Sequence, residues 1–336
     1  MTVIPKVKHF VFRLMPCIAL IILTSPRVKA QYTDVINSNR PGKANSAYAL
    51  GPGVYQMEIG YSFHKLQNNS NLTESGDDRA DLALRVGIFS ETLEFLYEGA
   101  LSEYLYTNTA IPENPIIEEG QFTKHRIGFK LLLYDRYKNA ENQKPNLYSW
   151  RANNSFKLRN ILPSIAIYAG TNYVNQPSSI SGSEDLFSTR LMLATQSSLS
   201  SRTVLITNFV LDKLGAEFPE RSYAISISQN IINPQWSIFA EHQGIRSENY
   251  QRQILRGGIA YLWHKNFQID VNTSTDLANS ENGFFIGSGM SYRLDKHKDI
   301  KMKSEPAVSQ SFGRLSKTER RVKRRVNKRN RKRSRN

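Results

Sequence analysis

The chain has 336 residues, and its 45 Lys and Arg against 29 Asp and Glu give a formal charge of +16. Residues 1–30 hold five basic and no acidic side chains, and 296–336 hold seventeen basic and three acidic ones, which leaves 23 basic against 26 acidic in the 31–295 body. A slightly acidic body excludes a uniformly basic nucleic-acid-binding domain, and a negative mean hydropathy with no apolar run of about eighteen residues excludes a helical membrane protein.

The first segment reads as an export signal. Lys6, Lys8, His9 and Arg13 form a basic start, and Leu14 to Thr24 is an apolar stretch of about ten residues, too short to span a bilayer as a helix. Val28-Lys29-Ala30 supplies the small and branched positions of a cleavage site, placing the cut after Ala30. The single cysteine, Cys17, leaves with this signal peptide (1–30), so the mature chain has no disulfide, thiolate metal site or Cys nucleophile. Residues 31–52 follow as an N-terminal periplasmic segment.

From Gly53 onward the chain alternates apolar and polar residues in segments of about ten, parted by turn-rich stretches. Tyr55, Met57, Ile59, Tyr61 and Phe63 share one face, and Gln56, Glu58, Gly60 and Ser62 share the other. The same period of two recurs at 81–88, 93–98, 126–133, 223–228, 255–263 and 267–272. Less regular strands are expected near 164–171, 186–199, 202–212, 235–245 and 283–294, for twelve in all. Spacers alternate in length: tight ones at Ser90-Glu91, Leu199–Ser201, Asn233-Pro234 and His264-Lys265, longer ones at 65–77, 106–120, 172–185 and 213–220. Short turns at one end and loops at the other are the pattern of an outer-membrane barrel. The 134–163 stretch is long yet falls on the turn side. Tyr55, Tyr61, Phe63, Tyr97, Trp236, Tyr261, Trp263 and Tyr292 recur near the ends of apolar faces, as an interfacial girdle requires. A soluble β-sandwich also alternates, but its strands are usually shorter.

Asn39-Arg40-Pro41-Gly42, followed by Gly51-Pro52-Gly53-Val54-Tyr55-Gln56-Met57-Glu58-Ile59-Gly60-Tyr61, resembles the opening of the outer-membrane family described as putative MetA-pathway of phenol degradation. Asp81–Glu94 resembles its second hairpin, and Pro163–Gly170 and Gly257–Leu294 also fit. The resemblance spans most of 37–294; this chain departs from the family at Asn37-Ser38-Asn39. It implies a barrel involved in uptake of hydrophobic or aromatic compounds.

If the apolar faces meet lipid, the opposite faces line the lumen. Glu58, Arg85, Glu94, Glu98, Arg126 and Lys130 are then lumen-lining candidates on four consecutive strands, with Glu241, Arg252, Arg256 and Asp270 extending the pattern on the far side. They form either a selective constriction or a packed ion-pair network. No phosphate loop, G-x-S-x-G elbow or H-E-x-x-H is present, and six histidines are scattered without metal-ligand spacing. No catalytic residue, metal or cofactor is therefore expected. In the tail, Arg320, Arg321, Lys323, Arg324, Arg325, Arg331, Lys332 and Arg333 form a dense like-charge run, which repels itself and stays disordered. Behind an export signal, its candidate partners are anionic cell-envelope polymers or lipid headgroups, not nucleic acid.

The expectation is thus an all-β transmembrane antiparallel β-barrel of about twelve strands over 53–294, with a basic tail at 295–336. It would contact outer-membrane lipid in a Gram-negative bacterium. Its expected role is passive transport of small solutes. A closed structural or anchoring barrel, and a secreted soluble β-sandwich binding module, are the alternatives.

Overall fold

A computed structural model describes residues 35–68, 73–108, 116–136, 162–173, 187–231, 233–277 and 284–297. Twelve strands run in chain order: β1 (Val54–Asn68), β2 (Thr73–Gly87), β3 (Leu93–Asn108), β4 (Ile116–Tyr134), β5 (Ser164–Tyr173), β6 (Phe187–Ser198), β7 (Thr203–Leu214), β8 (Glu220–Asn230), β9 (Trp236–Arg246), β10 (Gln251–His264), β11 (Phe267–Asp276) and β12 (Phe284–Asp295). Each pairs antiparallel with its sequence neighbours, and β12 pairs with β1 from Val54↔Asp295 to Lys65↔Phe284, closing the cylinder. Closure leaves no sheet edge unpaired. It also rules out the two packed sheets of a sandwich.

Period two decides which side chains meet the surroundings. In β1, Tyr55, Met57, Tyr61 and Phe63 are exposed, while Gln56, Glu58 and Gly60 between them are buried. This inversion, apolar out and charged in, is what a cylinder in hydrocarbon requires. Tyr55 to Phe63 is eight steps, roughly 26 Å of strand at about 3.3 Å per residue. Tilted by about 35–45°, that length covers roughly 20 Å of an apolar band about 25 Å tall. At the turn end, the rings of Trp236 and Tyr261 lie 4.6 Å apart, with Trp263 edge-on to Tyr261. Toward the loop end, Tyr97 and His125 Nδ1 are hydrogen-bonded at 2.8 Å, and His125 also packs on Tyr173, which packs on Phe187. His125 therefore sits in an outward aromatic cluster at the band's edge.

The first four strands are longer than the alternation suggested. The expected loops 65–77 and 106–120 are largely ladder: β1 pairs with β2 out to Asn68↔Thr73, and β3 with β4 out to Tyr106↔Ile116. Beyond the lipid band a strand can be polar on both faces, so its hydrogen bonds continue after its hydrophobic period has stopped. The 134–163 stretch falls mostly outside the described residues, as do the signal segment and the tail.

On the inner wall, Leu96 of β3 packs with Tyr168, Met192, Ala194 and Val210 of β5–β7 in a buried apolar cluster, and Ala47, Leu132 and Ala166 form a second. Tyr168 lies across Gly128 and Gly170, which are Cα partners in the β4–β5 ladder; a Cβ on either would strike its ring. Pairing two glycines opens a bay in the wall deep enough for a flat side chain.

Candidate functional site

The lumen is occupied by the chain's own residues 35–53, so the described part of the segment expected to be periplasmic (31–52) instead folds back inside the barrel, where inward polar side chains satisfy its backbone. Ile36 N–H donates to the carbonyl of Lys265 in the β10–β11 turn at 2.8 Å, so this strap enters at the turn end. It leaves at the same end, where Val54 begins β1. Having no strand partner of its own, its backbone needs acceptors and donors from elsewhere. The inward polar faces provide them. Asn37 C=O accepts from Arg85 at 2.7 Å and Gln56 at 3.1 Å, the Ser38 and Ser291 hydroxyls are hydrogen-bonded at 2.7 Å, and Asn39 N–H donates to Glu58 at 3.2 Å.

Arg40 is the deepest anchor on this side. Its guanidinium donates to both carboxylate oxygens of Asp270, at 3.1 and 3.0 Å, and to the Ser288 carbonyl at 3.2 Å. It lies flat on Gly60 of β1 and Gly289 of β12, Cα partners across the closing seam, where any Cβ would collide with it. The next residues turn over Glu241, whose carboxylate accepts from the backbone N–H groups of Lys43 and Ala44 at 3.0 Å and from Arg256. Lys43 Nζ extends to Asp81 at 2.7 Å. The return leg is held by Asn208, which exchanges two hydrogen bonds with the backbone of Asn45 at 2.6 and 2.9 Å. Ser46 bonds Gln196 at 2.7 Å and receives Lys130 on its carbonyl at 3.1 Å, Tyr48 OH and Ser164 Oγ lie 2.9 Å apart, and Leu50 N–H donates to Glu94 at 2.9 Å.

The six lumen-lining candidates all face inward, and the structure sorts them into two groups. Arg85 bridges Glu94 at 2.6 Å and Glu58 at 3.4 Å, and Lys130 reaches Glu94 at 3.2 Å. Arg85, Glu94 and Lys130 are 0% exposed and sit under the strap. Here the ion pairs are structural: they satisfy one another and the strap's backbone, and removing one partner would leave an uncompensated buried charge. Glu98 and Arg126, 2.6 Å apart, stand above the strap instead. Arg126 also contacts Asp212 at 3.0 Å and Asn172 at 2.8 Å, and Arg190 pairs with the same Asp212.

Above the strap lies a cup of about 380 Å³, open toward the loop end. Its floor is Arg40, Pro41, Gly42 and Lys43, and its walls carry Arg79, Asp81, Glu98, Arg126, Arg190 and Asp212 on one side. Arg252, Arg256 and Phe285 complete the other side, with the Arg252 guanidinium 5.8 Å over the Phe285 ring. Arg252 and Arg256 are paired to Asp276 and Glu241 behind them. The cup can thus present guanidinium N–H groups, carboxylates and one ring face to a small molecule, without a group of His, Cys, Asp and Glu able to hold a metal among the described residues.

The sequence reading missed the strap's own Arg40 and Lys43 as lumen groups, along with Asp81, Arg190, Asn208 and Asp212. Parity in β7 would have placed Asn208 and Asp212 inward, since Phe209 and Leu211 are exposed. The tail residues Arg320, Arg321, Lys323, Arg324, Arg325, Arg331, Lys332 and Arg333 lie outside the described residues.

A closed twelve-strand cylinder with an apolar exterior and a charged, internally strapped lumen is a β-barrel of the outer-membrane type. The chain belongs to the family described as Putative MetA-pathway of phenol degradation, whose model matches residues 38–294 and so takes in most of the strap as well as the barrel. No curated protein matches the sequence. Among solved structures, the chain is similar to an outer membrane channel from Pseudomonas putida F1 (10% identity, TM-score 0.46, covering 77% of this chain and 100% of that one). It is also similar to the KdgM porin in complex with disordered oligogalacturonate (11%, 0.42, 71% and 99%) and to the CymD monoaromatic hydrocarbon channel (10%, 0.37, 74% and 90%).

Proposed function

We propose that the protein is a passive channel of the Gram-negative outer membrane, with its turns on the periplasmic side and its strap entering the lumen from there, exported by a signal peptide cut after Ala30. The observation that carries this reading is the way the lumen is filled. Its stopper is one continuous segment held mainly by hydrogen bonds and ion pairs to the inward polar faces, with Ala47 and Tyr48 packed on Leu132 and Ala166, and it is not paired into the sheet as a strand. Above it the lumen keeps a solvent-sized cup, which a purely structural cylinder does not need. The solute class that fits the cup is a small aromatic bearing a hydroxyl or carboxylate, because the cup's arginines offer planar guanidinium groups on which a ring can stack and whose N–H groups bind oxygen. The family's description points toward aromatic compounds as well.

The second reading, a closed structural barrel, is favoured by the apolar cluster of Leu96, Tyr168, Met192 and Val210, which fills part of the lumen with wall side chains. Planar-bilayer recording separates the two. The channel reading expects discrete conductance steps from the full chain and larger steps from a variant lacking residues 35–50. Silence from both forms would favour the closed barrel. The basic tail is proposed to hold an anionic envelope polymer or lipid headgroup.

A further inference from the structure

The outer side of β5 to β10 carries a groove of about 860 Å³, backed by the same stretch of wall as the cup, with Val210, Ser222, Tyr223, Ile245 and Arg252 common to both linings. Strand parity turns Ile167, Leu193, Phe209, Leu211 and Tyr223 outward there, forming an apolar bed. At its loop-end rim stand Arg221 and Arg246. They are direct Cα partners in the β8–β9 ladder, and both are exposed. Both point outward, because strand parity sets Arg221 on the face of exposed Tyr223 and Ile225, and Arg246 on the face of exposed Trp236 and Ile238. Gln251, the partner of Arg246 on β10, adds an amide beside them.

Two like charges directly opposite each other destabilise an antiparallel pair. Proteins usually relieve this with a carboxylate nearby. Here the adjacent Glu220 is engaged by Tyr250 at 2.5 Å and Lys213 at 3.9 Å, and among the described residues neither Arg221 nor Arg246 has an ion pair. The pair sits one step above Tyr223, whose hydroxyl lies 3.4 Å from His242 Nδ1. A Tyr–His pair facing out at the end of an apolar band marks headgroup depth. Cations just above that level, with an apolar bed just below, match the two parts of an anionic lipid.

We propose that this groove holds one phosphate-bearing lipid of the leaflet at the loop end. Its phosphate bridges Arg221 and Arg246, and an acyl chain lies along Leu211, Phe209 and Tyr223. A guanidinium presents a planar fork that matches phosphate oxygens, and two facing forks bind one phosphate while their mutual repulsion is neutralised. The alternative occupant of such a rim is water alone, with both side chains extended into it. The proposal rests on the outward face meeting lipid.

The test is native mass spectrometry of the full chain in neutral detergent, titrated with bis-phosphorylated lipid A, with the same lipid lacking phosphates, and with inorganic phosphate. The expected result is retention of the phosphorylated lipid, weakened at least about tenfold by the Arg221→Gln/Arg246→Gln pair, which removes two charge-assisted contacts. Arg221→Lys/Arg246→Lys, which keeps charge but loses the fork, should fall between. Equal retention by wild type and the Gln pair, or displacement of the lipid by equimolar inorganic phosphate, would overturn the proposal. Heat-modifiability on a gel is read in parallel for every form. Its absence in wild type would sink the membrane reading itself, whereas its presence with equal lipid retention sinks only the groove.

Discussion

Arg40 and Asp270 form a two-pronged ion pair between a segment outside the sheet and the middle of β11, with the carboxylate fully buried. It fixes the orientation of the strap on the wall, because a fork holds a carboxylate in one planar arrangement. Arg40→Ala should therefore leave Asp270 as an unpaired buried charge and cost about 3–5 kcal/mol of stability if the carboxylate stays dry. If the strap lifts, water relieves the charge, the stability loss shrinks, and conductance rises. Urea unfolding in lipid vesicles and bilayer recording on the same variant show how the loss divides. Arg40→Lys should be intermediate in both, since an ammonium cannot span the two oxygens at once.

The glycine seam gives a test that leaves every charge in place. Gly60→Val and Gly289→Val each put a Cβ where the Arg40 guanidinium lies. Valine suits a strand, so assembly should persist. The strap should be displaced, and trypsin should then cut after Lys43 in the folded, heat-modifiable barrel. Wild-type protein should resist cleavage there. Equal protection in all three would mean that the strap is held without Arg40.

The cup's charge should set ion preference. Arg126→Ala removes a cation and leaves Glu98 without its 2.6 Å partner, so the reversal potential in a salt gradient should move toward cation selectivity. Glu98→Ala should move it the other way. High salt should shrink both shifts, because a cup open to water is screened. Identical reversal potentials would place the ion path away from this pair.

The lipid face has a depth dependence that a water-soluble protein would lack. Ile259, in the middle of β10 between Ile238 and Val271, faces outward. Ile259→Arg should reduce unfolding free energy by about 2–4 kcal/mol, while Gln229→Arg, outward near the turn end, should cost about 0–1 kcal/mol. Equal effects at the two sites in lipid vesicles would contradict a mid-membrane position for Ile259.

The last β12 contacts run slightly past the strand: Lys296 N–H donates to Gly53 C=O at 3.1 Å, and His297 Nδ1 is hydrogen-bonded to Pro52 C=O at 3.0 Å. A truncation meant to spare the barrel should therefore end after His297. Lacking 298–336, the protein should assemble normally but lose salt-sensitive co-sedimentation with anionic liposomes, since each Lys or Arg near such a surface contributes about 1 kcal/mol. Equal sedimentation with and without the tail would leave that segment without a lipid role.

The barrel was legible because its signal is local. Tyr55 to Phe63 need only their own alternation to show which side meets lipid, and the twelve strands and the closing strand at Phe284 followed from it. The inward charges followed from the same parity. The strap was not legible, because nothing in 35–53 repeats: Asn45 depends on Asn208, Lys43 on Glu241 and Arg40 on Asp270, partners that only closure of the cylinder brings near. The resemblance placed Asn39-Arg40-Pro41-Gly42 next to the first strand, yet that proximity in sequence does not reveal that the motif folds back inside. Arg190 and Asp212 were lost for a third reason. In β6, Thr and Ser stand on outward (Thr189, Thr195) as well as inward (Ser188, Ser198) positions, and in β7 the inward face carries Val204, Ile206 and Val210, so the period is blurred in both.

Ile36 and Val54 bracket the strap at one and the same rim. A segment whose two ends share an opening can be drawn out sideways from the bore, as a bight of rope is lifted from a ring, with no free end passing through. The ladder between β1 and β12 need not open, and no strand need change register. The stopper and the cylinder are one molecule without being interlocked, so chain topology by itself sets no barrier to withdrawing the strap.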